Sequence, residues 1–320
     1  MSKMIRPSSA ALCSAMALVL AFGGVLWIAP ASAADDALMR IAFPSGMNGQ
    51  IVVTMEKAKI AEQAGFRAEY SSFQYGPPMM EALAGGSIDA VVTSLMPVTT
   101  YASKLPGDVK IVAMVGQSSY SLMVDKSGGI TAPAGLAGKK IGVSFGSDSH
   151  LDTLVWLKEE GLSDKVSLVN IAPAELATAM STNSVDAIVV RQPQVLKLQQ
   201  QSSFQILHSW PFRFVSIVKS KFIADHPKEL DKYILALRLA MLFIAQNHQK
   251  SAEWFGEYLR TDPSLIEQVS KDDPLYGATD LSQIDISVKP ADRTLIGKWG
   301  ADALARKMIK QPLDLDSLFK

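Results

Sequence analysis

The chain is 320 residues long and has 31 basic and 31 acidic residues, so its formal net charge is zero. A chain without an excess or a run of basic residues lacks the electrostatic surface of a nucleic-acid-binding protein. The only cysteine, Cys13, lies near the N-terminus, which excludes disulfide bonds and thiolate metal sites from the rest of the chain. We therefore expect no nucleic-acid partner, no bound metal and no cofactor.

The first residues have the pattern of a secretory signal peptide. Lys3 and Arg6 precede an apolar run over residues 10–28, which ends in the small-residue sequence Ala-Ser-Ala at 31–33. This pattern predicts that residues 1–33 are a signal peptide, cleaved on export. An uncleaved membrane anchor is the alternative, because the apolar run is almost long enough to span a bilayer. We expect a soluble, periplasmic mature protein.

Short β-branched segments alternate with helical patterns along the mature chain. The predicted strands are, in chain order, 40–43, 90–93, 110–114, 140–143, 166–170 and 187–190. Helices are predicted over 51–64 and 148–160. This alternation predicts βαβ units around a largely parallel sheet, which is an α/β fold.

One stretch of the sequence occurs twice. Residues 82–92 match residues 179–189 without a gap, so that Asp89 falls on Asp186. Because a helix, a turn and an aspartate before a strand form a common connection, chance could explain the local match. The same order of elements precedes both copies, however, and predicts two similar α/β halves.

The ligand site of an open α/β sheet lies beyond the carboxyl ends of its strands, in the loops that enter the helices. These loops are predicted at 44–48, 93–97, 145–150 and 191–193. Two halves that face each other would place these loops around a cleft. The helix predicted to begin near Ser147 would offer free backbone N–H groups to an anion.

Several short motifs occur along the chain in the same order as in one protein family. They are Pro44 at the end of the first strand, Glu81-Ala-Leu-Ala-Gly-Gly-Ser-Ile-Asp89, Leu136-Ala-Gly-Lys-Lys-Ile-Gly142, Gly146-Ser-x-x-His150, the Val-Asp186-Ala block followed by Pro193, and Phe222 with His226-Pro227. With these motifs the mature chain resembles the SsuA/TauA, NMT1-like family of ABC transporter periplasmic solute-binding proteins. The resemblance implies ligands such as aliphatic sulfonates, taurine, nitrate or thiamine pyrimidines.

The resemblance also implies the architecture and the partners. It implies a type II periplasmic-binding-protein fold with two βα lobes joined by a two-crossover hinge. Lobe I would contain residues 34–124 and 215–320, and lobe II would contain residues 125–214. The protein would be a monomer whose lobes close around the ligand. Its partners would be an inner-membrane ABC permease and the ATPase of that permease.

Most candidate ligand-binding residues lie at predicted strand ends or in the loops that follow them. Ser118 and Trp210 instead precede the two crossovers between lobes, which the resemblance implies near residues 119–124 and 214–218. The full set of candidates is Ser45, Asn48, Thr93, Ser94, Ser118, Ser147, Asp148, His150, Arg191 and Trp210. Arg191 is the candidate for a bidentate contact with an oxyanion. Ser147 and Asp148 could serve only as helix caps, His150 could pack against a loop, and Trp210 could belong to the core. Turn chemistry alone could explain the serines and Asn48.

The expected function is capture of a small organic anion, an aliphatic sulfonate or taurine, for an ABC importer. An enzyme is not expected, because the sequence lacks the Gly-x-Ser-x-Gly, P-loop, dinucleotide and His-Glu-x-x-His motifs. A LysR-type transcriptional regulator, whose effector-binding domain has the same two-lobed fold, is not expected either. Such regulators begin with a DNA-binding winged helix-turn-helix, and this sequence has the predicted signal peptide in its place. The same fold could instead bind a thiamine-precursor pyrimidine, nitrate or an aromatic carboxylate. A ligand sensor that acts on a partner other than a permease is a further alternative.

Overall fold

The computed structural model describes residues 37–201 and 203–319. The predicted signal peptide, residues 1–33, therefore lies outside the described residues, and so does Cys13. In the part of the chain that the structure describes, no helix is both long enough and apolar enough to cross a membrane.

A single mixed sheet forms the centre of the molecule. Its eight strands are β1 (Leu38–Pro44), β2 (Arg67–Phe73), β3 (Ala90–Ser94), β4 (Val109–Asp125), β5 (Lys140–Val143), β6 (Ser167–Asn170), β7 (Ala187–Arg191) and β8 (Phe204–Lys219). Their spatial order is β2-β1-β3-β8-β4-β7-β5-β6. Each predicted strand falls on an observed one, and the α/β class is confirmed.

Helices connect the strands and form the C-terminal part of the chain. They are α1 (Gln50–Lys57), α2 (Ile60–Gln63), α3 (Gly76–Ala84), α4 (Leu95–Lys104), α5 (Asp148–Glu159), α6 (Leu176–Ser181), α7 (Gln194–Gln199), α8 (Ser220–Asp225), α9 (Pro227–Gln246), α10 (His248–Leu259), α11 (Pro263–Ser270), α12 (Pro290–Ala305) and α13 (Leu315–Leu318). The helix predicted over 51–64 is divided into α1 and α2, because Lys59 adopts a left-handed conformation with φ of 53°.

The sequence repeat has an exact counterpart in the hydrogen bonding of the sheet. In the first repeat, β1 to β3, the amide of Asp89 donates to the Arg40 carbonyl, and the Arg40 amide donates to Asp89 Oδ2, both at 2.9 Å. In the second repeat, β5 to β7, Asp186 and Lys140 exchange the same two bonds at 2.9 and 2.8 Å. Each aspartate thus ties the start of the strand that follows it, β3 or β7, to the central strand of its repeat, β1 or β5.

Two long antiparallel strands join the repeats. Strands β4 and β8 pair with each other along almost their whole length. The first repeat attaches where β3 pairs with residues 214–218 of β8, and the second attaches where β7 pairs with residues 120–124 of β4. These are the segments where the chain was expected to cross between lobes. The sheet is continuous through them, and the assignment of residues to two lobes stays a prediction.

Helix α9 shows how the C-terminal helices are held. Leu230, Tyr233, Leu237 and Met241 are buried and recur at helical spacing, which forms one apolar stripe. The stripe packs against α1, and the Tyr233 hydroxyl lies 2.8 Å from Ser216 Oγ on β8. Each such buried side chain contributes roughly 1.5 to 3 kcal/mol. Helix α9 is therefore firmly attached to the half of the sheet that contains β1.

Candidate functional site

A cleft of about 400 Å³ lies at the carboxyl ends of the parallel strands of both repeats. The loop after β1 contributes Ser45, the end of β3 contributes Ser94, the loop after β5 contributes Ser144 and the end of β7 contributes Arg191. The position agrees with the general rule for open α/β sheets. The cleft is therefore the candidate ligand site.

Arg191 is the central cation of this cleft. It is half-buried, and one hydrogen bond of its guanidinium is found, from Nη2 to the Ser45 carbonyl at 3.3 Å. Within the described residues it forms no salt bridge. Burial lowers the pKa of the guanidinium, and the nearby Asp148 carboxylate opposes that effect. Since a guanidinium in a protein stays charged, Arg191 brings a positive charge and free N–H donors to the cleft.

Asp148, the first residue of α5, caps a different helix. Its Oδ1 accepts the amides of Leu95 at 3.0 Å and Met96 at 3.2 Å, and its Oδ2 accepts the Ser94 hydroxyl. The carboxylate thus neutralises the free amides at the start of α4, as an N-cap side chain does. Burial raises its pKa to about 6, although these bonds act in the opposite direction. Asp148 joins the second repeat to the helix that follows the first.

The start of α5 combines a cap with a row of hydroxyl groups. Ser147 Oγ accepts the His150 amide at 3.3 Å, donates to the Ser144 carbonyl at 2.6 Å and lies 2.8 Å from Ser149 Oγ. All three serines line the cleft. Ser147 is therefore both a cap and a cleft residue.

His150 points away from the cleft. Its Nδ1 accepts the Gly146 amide at 3.3 Å, and its ring stacks on Phe145 with 4.3 Å between centroids. Burial lowers the pKa of the imidazole to about 4. His150 lines an adjoining groove together with residues such as Lys104 and Met308.

Other predicted site residues lie outside the cleft as well. Asn48 and Ser118 line a second, smaller chamber. Thr93 is buried in β3 and lines neither space. Trp210 packs in an aromatic cluster with Tyr120, Trp156 and His208. Of the candidates, the cleft brings together Ser45, Ser94, Ser147, Asp148 and Arg191.

The cleft also includes residues that sequence reasoning missed. They are Tyr75, Gly76 and Pro77 at the start of α3, Pro173, Ala174 and Leu176 near α6, Gln194 at the start of α7, and Tyr258 to Thr261 at the end of α10. The first group follows the parallel strand β2, so the strand-end rule could have found it. The α10 residues arrive through helix packing, for which no local sequence signal exists.

No metal site accompanies the cleft. Across residues 37–201 and 203–319, no group of three or more His, Cys, Asp or Glu side chains could hold a metal ion. The chemistry available at the cleft is therefore that of two arginines, Arg191 and Arg260, one carboxylate, several hydroxyls, backbone amides and aromatic rings.

Two curated relatives are similar in sequence. A Bacillus subtilis (strain 168) protein, provisionally named as aliphatic sulfonates-binding, is 27% identical over 222 residues, covering 66% of this chain and 65% of the relative. The taurine-binding periplasmic protein of Escherichia coli (strain K12) is 28% identical over 176 residues, covering 52% and 54%. The matched region thus spans between half and two thirds of each relative's length. Both are named as binding proteins rather than as enzymes.

Solved structures share the fold. The alkanesulfonate-binding protein SsuA from Xanthomonas axonopodis pv. citri, bound to MOPS, superposes with a TM-score of 0.75 at 18% identity, covering 90% of this chain and 99% of that one. The periplasmic nitrate-binding protein NrtA from Synechocystis PCC 6803 gives 0.72 at 12% identity, covering 89% and 86%. The predicted periplasmic-binding-protein fold is confirmed. The model of the family described as NMT1/THI5 like matches residues 76–251, more than half of the chain, so this protein belongs to that family.

Proposed function

We propose that this protein is a periplasmic solute-binding protein that captures a small organic anion, an aliphatic sulfonate or taurine, and delivers it to an ABC importer. The single observation that carries the proposal is Arg191, a cation without an ion-pair partner among the described residues, at the carboxyl end of β7 in a cleft of about 400 Å³. A guanidinium taken out of bulk water is stabilised by an oxyanion that accepts two of its N–H groups.

Charge and donors in the cleft favour an anion. Arg191 and Arg260 line it, and the buried acid is Asp148, whose oxygens already accept three hydrogen bonds from the start of α4. The start of α5, with Ser147 and Ser149, adds hydroxyl donors and the positive end of a 12-residue helix. A sulfonate, with three oxygens, can accept from several of these donors together.

The remaining walls suit a short carbon chain. Tyr75, Pro97, Tyr120, Leu176 and Phe212 present carbon surface to the cleft. Binding sites for small ligands commonly combine such apolar walls with a few placed polar groups. An aliphatic tail would lie against these side chains while the head group binds Arg191.

The relatives support the same ligand class. Two of them are named for sulfonates and taurine, and a matched structure is an alkanesulfonate-binding protein. The periplasmic location rests on the predicted signal peptide and on the relatives' names. The inner-membrane permease and its ATPase are the partners that this role requires. Delivery would follow closure of two lobes, residues 34–124 with 215–320 and residues 125–214.

The proposal is tested by thermal unfolding of the mature chain from residue 34, measured with taurine, alkanesulfonates, nitrate, aromatic carboxylates and hydroxymethylpyrimidine. A ligand at about a thousand times its dissociation constant adds roughly 4 kcal/mol to the free energy of unfolding, which raises the midpoint by several degrees. A shift with a sulfonate supports the proposal. A shift with only the neutral pyrimidine keeps the fold and removes the anion assignment. No shift with any of these compounds overturns the sulfonate assignment and favours a ligand sensor that acts on a partner protein.

A further inference from the structure

The cleft has two walls, and they come from different repeats. The first wall, Ser45 and Ser94, lies at strand ends of the first repeat. The second wall, Ser144, residues 147–149 and Arg191, lies at strand ends of the second repeat. A ligand that binds between two such walls is released as they separate. The contacts that join the walls therefore influence how fast a ligand leaves.

Asp148 makes a set of three hydrogen bonds between the walls. Its carboxylate, on the second wall, accepts the Ser94 hydroxyl and the amides of Leu95 and Met96, the first two residues of α4. All four of these residues are buried. Hydrogen bonds to an ionised acceptor are stronger than those between neutral groups. Arg191 adds one longer bond, of 3.3 Å, to a carbonyl of the first wall, so the polar contact between the walls depends mainly on Asp148.

An apolar cluster supports these hydrogen bonds. Met96 on α4 and Leu151 on α5 are buried in one cluster with Ala303 on α12 and Ile309, which follows that helix. Met96 is also one of the residues whose amide binds Asp148. Separation of α4 from α5 would expose this apolar surface to water, which is unfavourable. The cluster and the Asp148 bonds therefore form one contact, and they break together.

The same bonds limit what Asp148 and Ser94 can offer to a ligand. The hydroxyl hydrogen of Ser94 is donated to Asp148, so this hydroxyl has no hydrogen left to donate to an anion. The Asp148 carboxylate is itself only an acceptor and carries the same charge as an anion. Asp148 therefore acts on a bound anion through the walls that it joins, which makes it a positioning residue.

We propose that Asp148 is a clamp that holds the cleft closed over its ligand, and that its bonds to the start of α4 break before the ligand leaves. The inference rests on the proposed function and adds a control of ligand release to it. Loss of the clamp lowers the fraction of molecules in the closed form, and the apparent affinity falls with that fraction. The change lies mainly in the dissociation rate, as most affinity differences between related complexes do.

The test compares Asp148→Asn with Asp148→Ala. Both variants remove the charge near Arg191, but only asparagine keeps an oxygen that can accept the two α4 amides. We expect ethanesulfonate to dissociate from the alanine variant on the order of tenfold faster than from the asparagine variant, measured by stopped-flow fluorescence. Asp186→Asn and Asp186→Ala are the matched control pair, because Asp186 accepts the Lys140 amide within the second repeat and lies outside the cleft. That pair should differ in stability but show equal dissociation rates.

Spin labels give an independent measurement of closure. The chain from residue 34 contains no cysteine, so Ala84→Cys on α3 and Lys158→Cys on α5, both exposed, place one label on each side of the cleft. Electron–electron resonance in saturating ethanesulfonate should show an added population of longer distances for Asp148→Ala that Asp148→Asn lacks. Equal dissociation rates or equal distance distributions for these two variants would overturn the clamp. A wild-type chain that binds no sulfonate would overturn the proposed function instead, and the same distances measured without ligand would then test the clamp alone.

Discussion

Replacing Asp148 with asparagine should stabilise the protein at pH 7.5. The Asp148 carboxylate is buried, and its pKa is raised from an ordinary 3.8 to about 6. Asparagine can keep the two backbone bonds, because its Oδ1 can accept the Leu95 and Met96 amides, and it can replace the third bond by donating from Nδ2 to the Ser94 hydroxyl oxygen. The substitution therefore removes a buried charge, and its cost is that the Ser94 hydroxyl hydrogen loses Asp148 as its acceptor.

The size of the effect follows from proton linkage. A pKa that is higher in the folded than in the unfolded chain means that the folded state binds more protons between the two values. The contribution of Asp148 to stability is then fully present below pH 3.8 and is lost as the pH rises through about 6. Each pKa unit of difference between the folded and the unfolded chain corresponds to about 1.4 kcal/mol of stability. Asparagine, which does not titrate, should add about 1 to 3 kcal/mol at pH 7.5 and little near pH 4.

The same variant should tighten the binding of anions. The Asp148 carboxylate interacts electrostatically with Arg191 and lines the same cleft. Removing a negative charge near a bound anion is worth about 1 to 3 kcal/mol at the effective dielectric of a partly buried site. Calorimetry with ethanesulfonate at pH 7.5 measures this change.

Chemical denaturation of the wild type, Asp148→Asn and Asp148→Ala at pH 4 and pH 7.5 tests the stability argument. Alanine removes the acceptor and leaves the Leu95 and Met96 amides buried without a partner, so it should destabilise by about 1 to 3 kcal/mol. If asparagine destabilises as alanine does at pH 7.5, or if its effect is the same at both pH values, the reasoning about burial is refuted.

Two other buried positions give further predictions. The Asp152 carboxylate accepts a hydrogen bond from the Tyr120 hydroxyl, and burial raises the pKa of Asp152 to about 7. Asp152→Asn should therefore add about 1 to 3 kcal/mol to the free energy of unfolding at pH 8 and little at pH 4. Denaturation curves at the two pH values measure this, and an equal effect at both would contradict it. Gly49→Ala would place its Cβ 2.6 Å from the Pro44 carbonyl and should lower the free energy of unfolding by about 1 to 3 kcal/mol. Gly85→Ala, whose Cβ meets nothing closer than 3.5 Å, is the control in a thermal melt and should be neutral or slightly stabilising; equal losses for both glycines would refute the packing argument.

Much of the fold could be predicted from the sequence because it depends on local patterns. The alternation of β-branched runs with helices predicted the α/β class, and the repeated block around Asp89 and Asp186 predicted two equivalent βαβ units. The continuity of the sheet could not be predicted, because it depends on long-range pairing between β4 and β8. No periodicity within either strand encodes that partnership.

Position along a strand decided which of the predicted site residues lie at the cleft, and their role in binding stays a prediction. Arg191 and Ser94 reach the cleft because they end parallel strands. His150 does not, because it lies two residues after Asp148 on α5 and is rotated by about 200° from it. For Trp210, the strand pattern predicts alternating faces but not which neighbours cover each face, and the structure places it against Trp156 and His208.

The central claim, that an organic anion binds at Arg191, is tested most directly by calorimetry of a sulfonate with the wild-type chain and Arg191→Ala. The exposed Arg67 on the edge strand β2 supplies the matched control, Arg67→Ala. The account predicts that Arg191→Ala loses about 2 to 5 kcal/mol of binding free energy, roughly thirty-fold to several thousand-fold in affinity, while Arg67→Ala binds as the wild type does. An Arg191→Ala protein that is folded and binds the sulfonate with wild-type affinity would contradict the account.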